Sequence, residues 1–306
     1  HIERAGVHSG DSMAVYPSIN LTREEIDMIV DYSTTVGKAL KIKGLMNIQF
    51  VVCRSNNTGA NGIYILEVNP RASRTIPFIS KVTGIPMVDL ATRVMLGESL
   101  KQQGYSGGLV PAKKLFAIKA PVFSMSKLAG VDTYLGPEMK STGEVMGVDL
   151  TFDAALAKAL IASGMMLPEA GSILLSIADR DKPEALPIIR DLNRQGYRLY
   201  ATEGTAAMIE ADGMKVKMVS KKLGEGHPNI IDIIRNGTVA GVINTITGGG
   251  TALRDGFHIR RATVEQRLPC FTSLDTARAA VEALKHGHQL YNSLSLPEYR
   301  KIAEEK

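Results

Sequence analysis

The sequence predicts an α/β protein in two parts, a helical part containing an antiparallel β-hairpin and a part built on a parallel sheet. The length of 306 residues suits two domains of ordinary size. Two β-type runs, 47–53 and 63–69, flank a loop rich in Asn and Gly, which is typical of a hairpin. Beyond residue 164, strand-like and helix-like runs alternate, which is typical of a parallel sheet with covering helices. We therefore predict domains at 1–164 and 165–306.

The first part opens with an expected helix over 22–43, with Thr22 and Glu25 as a capping box and Gly44 as its stop. After the hairpin we expect helices at 76–83 and 87–96, an irregular stretch to about 150, and a helix over 153–163 capped by Asp153.

The second part is expected to contain five strands and four helices. The strand-like runs are 173–178, 197–201, 215–219, 239–245 and 259–263. The helix-like runs are 184–195, 205–211, 229–235 and 274–286.

The composition excludes several classes of protein. Apolar residues form 44% of the chain, but no run approaches the about 18 apolar residues of a membrane span, so we expect no membrane partner. The net charge of +5 is spread out; it fits either a solvated surface or attraction to small anions. Trp is absent and aromatics form 5%, which argues against nucleic acid. The two cysteines, Cys53 and Cys270, lack metal-ligand spacing, fit a reducing cytoplasm and are expected in the core.

The hairpin carries a cluster of oxygen-bearing side chains. The simplest register places Gln49 opposite Glu67 and Asn47 opposite Asn69, at the end away from the loop. The other face is then apolar and contains Phe50, Val52, Tyr64, Leu66 and Val68.

Two chemistries suit this cluster and the arginines that follow it. Oxygens of Gln49, Glu67 and Asn69 suit Mg²⁺ or Mn²⁺ bound together with nucleotide phosphates. Arg71 and Arg74 could then clamp phosphate or carboxylate oxygens. The alternative is an ordinary solvated sheet face, because one carboxylate and two amides are common on exposed strands.

The second part has two glycine-containing loops that follow strands, 201–205 and 244–251. Loop amides and hydroxyls at a helix N-terminus bind anions at this edge of a parallel sheet. Lys182 and Lys221 also follow strands, so a phosphorylated ligand is one interpretation, and ordinary turns with solvated lysines are the other.

Several segments together carry a specific resemblance. Segments 6–12 (Gly-Val-His-Ser-Gly-Asp-Ser), 44–50, 67–81 and 141–147 (Ser-Thr-Gly-Glu-Val-Met-Gly) resemble the second, carbamate-phosphorylating half of carbamoyl-phosphate synthetase large subunits. The resemblance covers essentially the whole chain. It implies the C-terminal lobe of an ATP-grasp domain, followed by a Rossmann-like, methylglyoxal-synthase-like regulatory domain.

The resemblance implies roles for matching positions. ATP would contact Gly6, Val7, His8, Ser9, Gln49 and Glu67. Mg²⁺ or Mn²⁺ would bind Gln49, Glu67 and Asn69, and K⁺ would lie near His1, Val7 and Ser9. Arg71 and Arg74 would act on the transferring phosphoryl group. For His8 taken alone, a surface or capping role is the alternative.

The resemblance also implies an allosteric site for a nucleotide monophosphate such as UMP or IMP. Its matching positions are Lys182, Thr202, Thr205, Lys221 and Asn244. Ile246 and an extra residue in the 248–250 turn depart from the family pattern and leave the effector's identity open. We find no counterpart of the lyase aspartate of methylglyoxal synthases, so we expect no lyase activity. Glu3 and Asp11 match acidic ligands of ornithine-activated members, but Ala120 replaces a third, so we expect no ornithine activation.

The family further implies a glutaminase small subunit as partner, a higher oligomer, a cytoplasmic location, and service to arginine or pyrimidine biosynthesis. The lobe that would hold adenine has no counterpart in these residues, so we expect a fragment that makes no carbamoyl phosphate by itself. Two alternatives stay open: a nucleotide sensor with a vestigial ATP-grasp lobe, and another ATP-grasp ligase such as a biotin-carboxylase-like enzyme. The alternating pattern after 164 disfavours the second, because those ligases end differently.

Overall fold

The computed structural model describes residues 1–54, 62–124, 130–220, 228–246, 251–285 and 292–305, without the side chains of 251–255. The chain divides into two compact units, each made of two segments. We call them the sheet unit (His1–Val15 with Ala117–Ser293) and the hairpin unit (Tyr16–Phe116 with Leu294–Lys306). These units are discontinuous in sequence, and the domain boundary at 164 stays a prediction.

The elements confirm a mixed α/β protein with an antiparallel hairpin and a separate parallel sheet. The strands are β1 (Ala14–Tyr16), β2 (Asn47–Cys53), β3 (Gly62–Asn69), β4 (Phe116–Val122), β5 (Gly143–Asp149), β6 (Ser172–Ser176), β7 (Arg198–Ala201), β8 (Val216–Met218), β9 (Gly241–Asn244) and β10 (Cys270–Phe271). The helices are α1 (Arg23–Ala39), α2 (Thr75–Thr83), α3 (Met87–Met95), α4 (Phe152–Ser163), α5 (Lys182–Arg194), α6 (Glu203–Ala211), α7 (Ile230–Arg235), α8 (Thr251–Glu265), α9 (Leu274–Lys285) and α10 (Leu296–Glu305). Within the described ranges, no helix is long and apolar enough to span a membrane.

Helix α1 begins as predicted and ends earlier. The amide of Glu25 donates to Thr22 Oγ1 and the amide of Thr22 donates to Glu25 Oε2, which is the complete capping box. Lys41 takes a left-handed backbone at φ 51°, so the chain leaves the helix before Gly44. Gly44 is therefore not the stop.

The hairpin confirms the predicted register at its polar end and departs from it beyond. Asn47 pairs with Asn69 and Gln49 with Glu67, but the register then shifts by one residue, so that Phe50 pairs with Ile65. Such a bulge moves the following side chains to the opposite face. Tyr64 consequently lies opposite Val51, away from the face predicted for it.

The predicted apolar face is therefore wrong beyond the bulge. It is also not buried, because Tyr64 is 49% exposed and Leu66 is 57% exposed. The C-terminal helix α10, which the periodicity did not predict, packs on α2 in the same unit. Arg300 Nη1 donates to the carbonyl of Lys81 there at 3.1 Å.

The strands β1, β4 and β5 form a three-stranded sheet, and β4 and β5 lie in the stretch expected to be irregular. Helix α4 packs on β5, and half of its residues are buried. Its cap is Thr151, whose hydroxyl accepts from the amide of Ala154, rather than the predicted Asp153. Thr151 takes this position because its extended backbone precedes the first helical residue, Phe152.

The parallel sheet has the order β10-β9-β6-β7-β8, with every described pairing parallel. The predicted alternation is confirmed except for the strand over 259–263, which is wrong. Those residues lie inside α8, where Ile259, Ala262 and Thr263 are buried at helical spacing. The fifth strand of the sheet is instead the short β10.

Gly147 allows β5 and α4 to approach closely. A Cβ at this position would lie 2.1 Å from the carbonyl oxygen of Ala155 and 2.5 Å from the amide nitrogen of Ala159. Both are backbone atoms, so a side chain can fit only if the helix moves away from the strand.

We expect Gly147→Ala to lower the free energy of unfolding by about 3 kcal/mol, because the added methyl overpacks this contact. Gly143→Ala, on the same strand with open space around the new Cβ, is the matched control and should change stability by less than about 1 kcal/mol. Urea unfolding followed by circular dichroism measures both. Equal stability of the two variants would contradict the close-approach interpretation.

Candidate functional site

The polar end of the hairpin joins three of the predicted site residues and one arginine. Asn69 Nδ2 donates to Glu67 Oε1 at 2.9 Å, and Arg71 Nη2 lies 3.4 Å from Asn69 Oδ1. Gln49 is the cross-strand partner of Glu67. Glu67 and Arg71 are exposed, so these groups are available to a ligand from solvent. Arg74 follows as the N-cap residue of α2.

The donor set fits a divalent cation that arrives with a nucleotide. Among the residues that the structure describes, no group of three or more His, Cys, Asp or Glu side chains could hold a metal. Glu67 is the carboxylate of the cluster, and Gln49 and Asn69 add amide oxygens. Mg²⁺ characteristically takes one or two carboxylates and completes its octahedron with phosphates and water.

The predicted nucleotide loop, 6–9, is held by backbone contacts within the sheet unit. The His8 amide donates to the carbonyl of Gly136 at 2.7 Å, and His8 Nδ1 accepts from the amide of Gly10 at 3.0 Å. The Ser9 carbonyl accepts from the buried ammonium of Lys119 at 3.3 Å. The loop therefore has a defined backbone path. It belongs to the sheet unit, whereas the acid–amide cluster belongs to the hairpin unit.

Asp11 fastens this loop to the segment before β5. The carboxylate is fully buried and accepts from the amides of Lys140 and Ser141, both at 2.8 Å. Ser141 Oγ in turn donates to the carbonyl of Gly10 at 2.9 Å. These contacts join segments 6–12 and 141–147, which are two of the segments that carry the family resemblance.

Three of the predicted effector residues, Lys182, Thr202 and Thr205, lie close together at the carboxyl edge of the parallel sheet. Thr202 follows β7 and is the N-cap residue of α6, with its hydroxyl 3.4 Å from that of Thr205. Thr205 Oγ1 accepts from the amide of Ile177, which follows β6. A Cβ on Gly204 would lie 3.2 Å from Lys182 Nζ, so the ammonium reaches the first turn of α6. The helix N-terminus favours an anion here, and the ammonium, which pairs with the exposed carboxylate of Asp179 at 2.7 Å, adds positive charge beside it.

Asn244 lies at the same edge, but its side chain is buried and hydrogen-bonded to other groups of the chain. It ends β9 opposite Ser176, is 2% exposed, and donates through Nδ2 to the Ser176 carbonyl. Its Oδ1 accepts from Arg260 Nη1 at 2.6 Å. Lys221 and the turn 248–250 lie outside the described residues.

Arg260 is the residue that the sequence analysis missed. Its guanidinium is buried and bonds both Asn244 and Asp132. The periodicity assigned this stretch to a strand, which hid the helical face on which Arg260 lies. An arginine within an apolar helical face was the signal that could have found it.

A cavity of about 350 Å³ in the sheet unit is lined by Glu3, Asp11 and Ala120, among others. Glu3 accepts from the amide of Met13 at 2.7 Å and from Thr276 Oγ1 at 2.8 Å, and burial raises the pKa of its carboxyl. The oxygens of both acids therefore accept hydrogen bonds from donors of the chain itself.

Cys270 also lines this cavity. Burial raises the pKa of its thiol to about 12, so this thiol stays protonated at neutral pH.

Comparisons with known proteins agree with this architecture. Residues 2–103 match the family described as the carbamoyl-phosphate synthase L chain, ATP binding domain, and residues 184–272 match the MGS-like domain family. The carbamoyl phosphate synthase large chain of Thermomicrobium roseum is 54% identical over 300 residues. That alignment covers 98% of this chain and 27% of the relative, so the chain spans about a quarter of the relative's length.

The chain thus combines part of an ATP-binding domain with an MGS-like domain built on a parallel sheet. It belongs to the carbamoyl phosphate synthase large-chain family, as the resemblance predicted.

We expect Asp11→Asn to destabilise the sheet unit by about 1–3 kcal/mol, because the amide group presents a donor to one of the two backbone N–H groups that the carboxylate satisfies. Glu282→Gln removes a carboxylate from an exposed ion pair with Lys285 and should cost less than about 0.5 kcal/mol. Urea unfolding of both variants compares the two costs. Similar small costs would show that the Asp11 contacts do not hold the loop.

Proposed function

We propose that the chain contributes the metal and phosphate end of an ATP-dependent site that phosphorylates carbamate, together with a sensor domain for nucleotide monophosphates. The observation that carries the proposal is the connected cluster of Gln49, Glu67, Asn69 and Arg71, within the stretch that matches a carbamoyl-phosphate synthase ATP-binding domain. The chain would be the C-terminal part of such a large chain.

In the proposed reaction, the carbamate oxygen attacks the γ-phosphoryl group in line, and no covalent enzyme intermediate forms. Mg²⁺ or Mn²⁺, when bound with ATP, supplies neutralising charge at the phosphates. Gln49, Glu67 and Asn69 would hold that cation through their oxygens, since the hairpin presents them side by side. Arg71 and Arg74 would bind the equatorial oxygens of the phosphoryl group and stabilise its charge.

The remaining positions serve nucleotide and ion binding in this proposal. Gly6, Val7, His8 and Ser9 line the nucleotide through their ordered loop, and His8 contributes a backbone already fixed by Gly136. K⁺ would lie near His1, Val7 and Ser9; the Ser9 carbonyl also accepts from Lys119, and a carbonyl oxygen can serve both partners.

The sensor part of the proposal rests on the edge of the parallel sheet. Lys182 and the first turn of α6 would bind the phosphate of UMP or IMP, with Thr202 and Thr205 beside it. Lys221 and Asn244 are the other two effector-binding residues that the family implies.

We further propose a cytoplasmic enzyme that works with a glutaminase small subunit, as a higher oligomer, in arginine or pyrimidine biosynthesis.

In the intact large chain with its small subunit, we expect Glu67→Gln to slow ATP formation from carbamoyl phosphate and ADP by at least about 100-fold, which corresponds to about 2.7 kcal/mol. The change keeps the side chain's size and removes the carboxylate charge that a divalent cation needs. Glu98→Gln is the matched control, because Glu98 is a half-buried carboxylate of the same unit that pairs with Arg93, and it should leave the rate unchanged.

If the Glu67→Gln variant forms ATP as fast as the wild-type enzyme, the result would favour the alternative, a nucleotide sensor that carries a vestigial ATP-grasp lobe.

We expect calorimetric titration of the chain with UMP or IMP to show binding that Thr202→Ala weakens at least about tenfold, equivalent to about 1.4 kcal/mol. The hydroxyl lies at the N-terminus of α6, where the phosphate would bind. Thr238→Ala is the control, because Thr238 bonds only to Asn236 among its described side-chain partners and lies away from this edge. Failure of the wild-type chain to bind either nucleotide would remove the sensor proposal.

A further inference from the structure

Arg260 is a charged side chain in the interior of the sheet unit. It is 1% exposed, although it lies on α8, which packs against the parallel sheet. The absence of a side chain at Gly256 makes room for it, because a Cβ there would lie 2.5 Å from Nη1. A buried guanidinium is tolerated only where partners satisfy its charge and its donors.

The partners of Arg260 lie in two different parts of the unit. Nε and Nη2 donate to the two carboxylate oxygens of Asp132, at 2.6 and 2.5 Å. Nη1 donates to Asn244 Oδ1 at 2.6 Å. Asp132 precedes β5 in an irregular segment, whereas Asn244 lies at the end of β9, among the proposed effector residues. The planar guanidinium can satisfy both partners at once, and the point charge of a lysine cannot.

The segment that contains Asp132 leads to the proposed nucleotide loop. Asp132 Oδ1 accepts from the amide of Tyr134, and the Tyr134 carbonyl accepts from Lys140 Nζ at 2.7 Å. Two residues after Tyr134, the Gly136 carbonyl accepts from the amide of His8 at 2.7 Å.

The far end of the segment is tied to the same loop. Asp11 accepts from the amides of Lys140 and Ser141, and the amide of Asp11 donates to the His8 carbonyl at 2.9 Å. Segment 132–141 is therefore hydrogen-bonded to Arg260 at its start, and to the 8–11 turn at its middle and at its end.

We propose that Arg260 is a positioning residue that couples occupancy of the nucleotide-monophosphate site to the conformation of the nucleotide loop at 6–9. The proposal rests on the proposed function of both sites. Coupling between sites requires a physical connection whose arrangement differs between the bound and free states. A ligand that reorients the Asn244 amide removes one partner of a buried cation, so the guanidinium must readjust. Its bidentate bond to Asp132 transmits that readjustment to segment 132–141 and to His8.

Hydrogen exchange of the chain with and without saturating UMP or IMP, read by NMR, tests this coupling. In the wild-type chain, nucleotide should change the exchange rates of the His8, Lys140 and Ser141 amides by at least threefold. In Arg260→Lys, nucleotide should still bind, but those changes should disappear because lysine cannot hold both partners. Arg261→Lys is the matched control: it is the same change one residue along α8, where Arg261 pairs with the exposed Glu265, and it should behave as wild type.

Asp132→Asn provides a second variant, which leaves Arg260 and the effector residues unchanged in sequence and removes the charge from the partner that joins Arg260 to the segment. Nucleotide binding within threefold of wild type, with the response at His8 lost, would support the coupling role. A response retained in both variants, or absent from a wild-type chain that binds nucleotide, would overturn it. Loss of nucleotide binding in both variants would also overturn the coupling role, since the pair of Arg260 and Asp132 would then only maintain the fold. A wild-type chain that binds no nucleotide would instead refute the sensor function, and the coupling with it.

Discussion

The buried ion pair between Arg260 and Asp132 is the interaction on which the arrangement of the sheet unit depends. It joins α8, which packs on the parallel sheet, to the irregular segment before β5. That segment in turn forms hydrogen bonds with the 6–11 loop. A charge buried at this depth cannot lose its partner without a large cost, so helix, segment and loop are constrained together. Asp11 adds a second buried carboxylate at the other end of the segment.

In the hairpin unit, strand pairing and local hydrogen bonds hold the oxygen-bearing side chains of the polar cluster. The polar pairs lie where the register is regular, and the bulge follows immediately, between Gln49 and Phe50 on β2. Because the bulge shifts only the residues beyond it, Gln49 and Glu67 keep their cross-strand alignment. The conformation of Asn69 and Arg71 then depends on local hydrogen bonds among neighbours in sequence. Local geometry is therefore sufficient to assemble this cluster.

The two regions that we propose to bind phosphate groups differ in their chemistry. The hairpin cluster offers side-chain oxygens that suit a hard cation, whereas the edge of the parallel sheet offers a helix N-terminus and an ammonium. Membership of the carbamoyl phosphate synthase large-chain family gives both regions a common context. The engagement of Glu3 and Asp11 by backbone and hydroxyl donors shows that acidic residues in one cavity need not be available to a ligand.

Patterns along the chain were enough to predict the features that depend on residues close together in sequence. The capping box of α1, the polar register of the hairpin and the alternation of strands and helices after 164 follow from short-range patterns. Three features depend instead on the folded chain: the bulge after Gln49, the helical state of 259–263 and the pairing of Arg260 with Asp132. The physical reason is that these features balance burial, packing and charge between residues as many as 128 positions apart, and no local pattern encodes that balance.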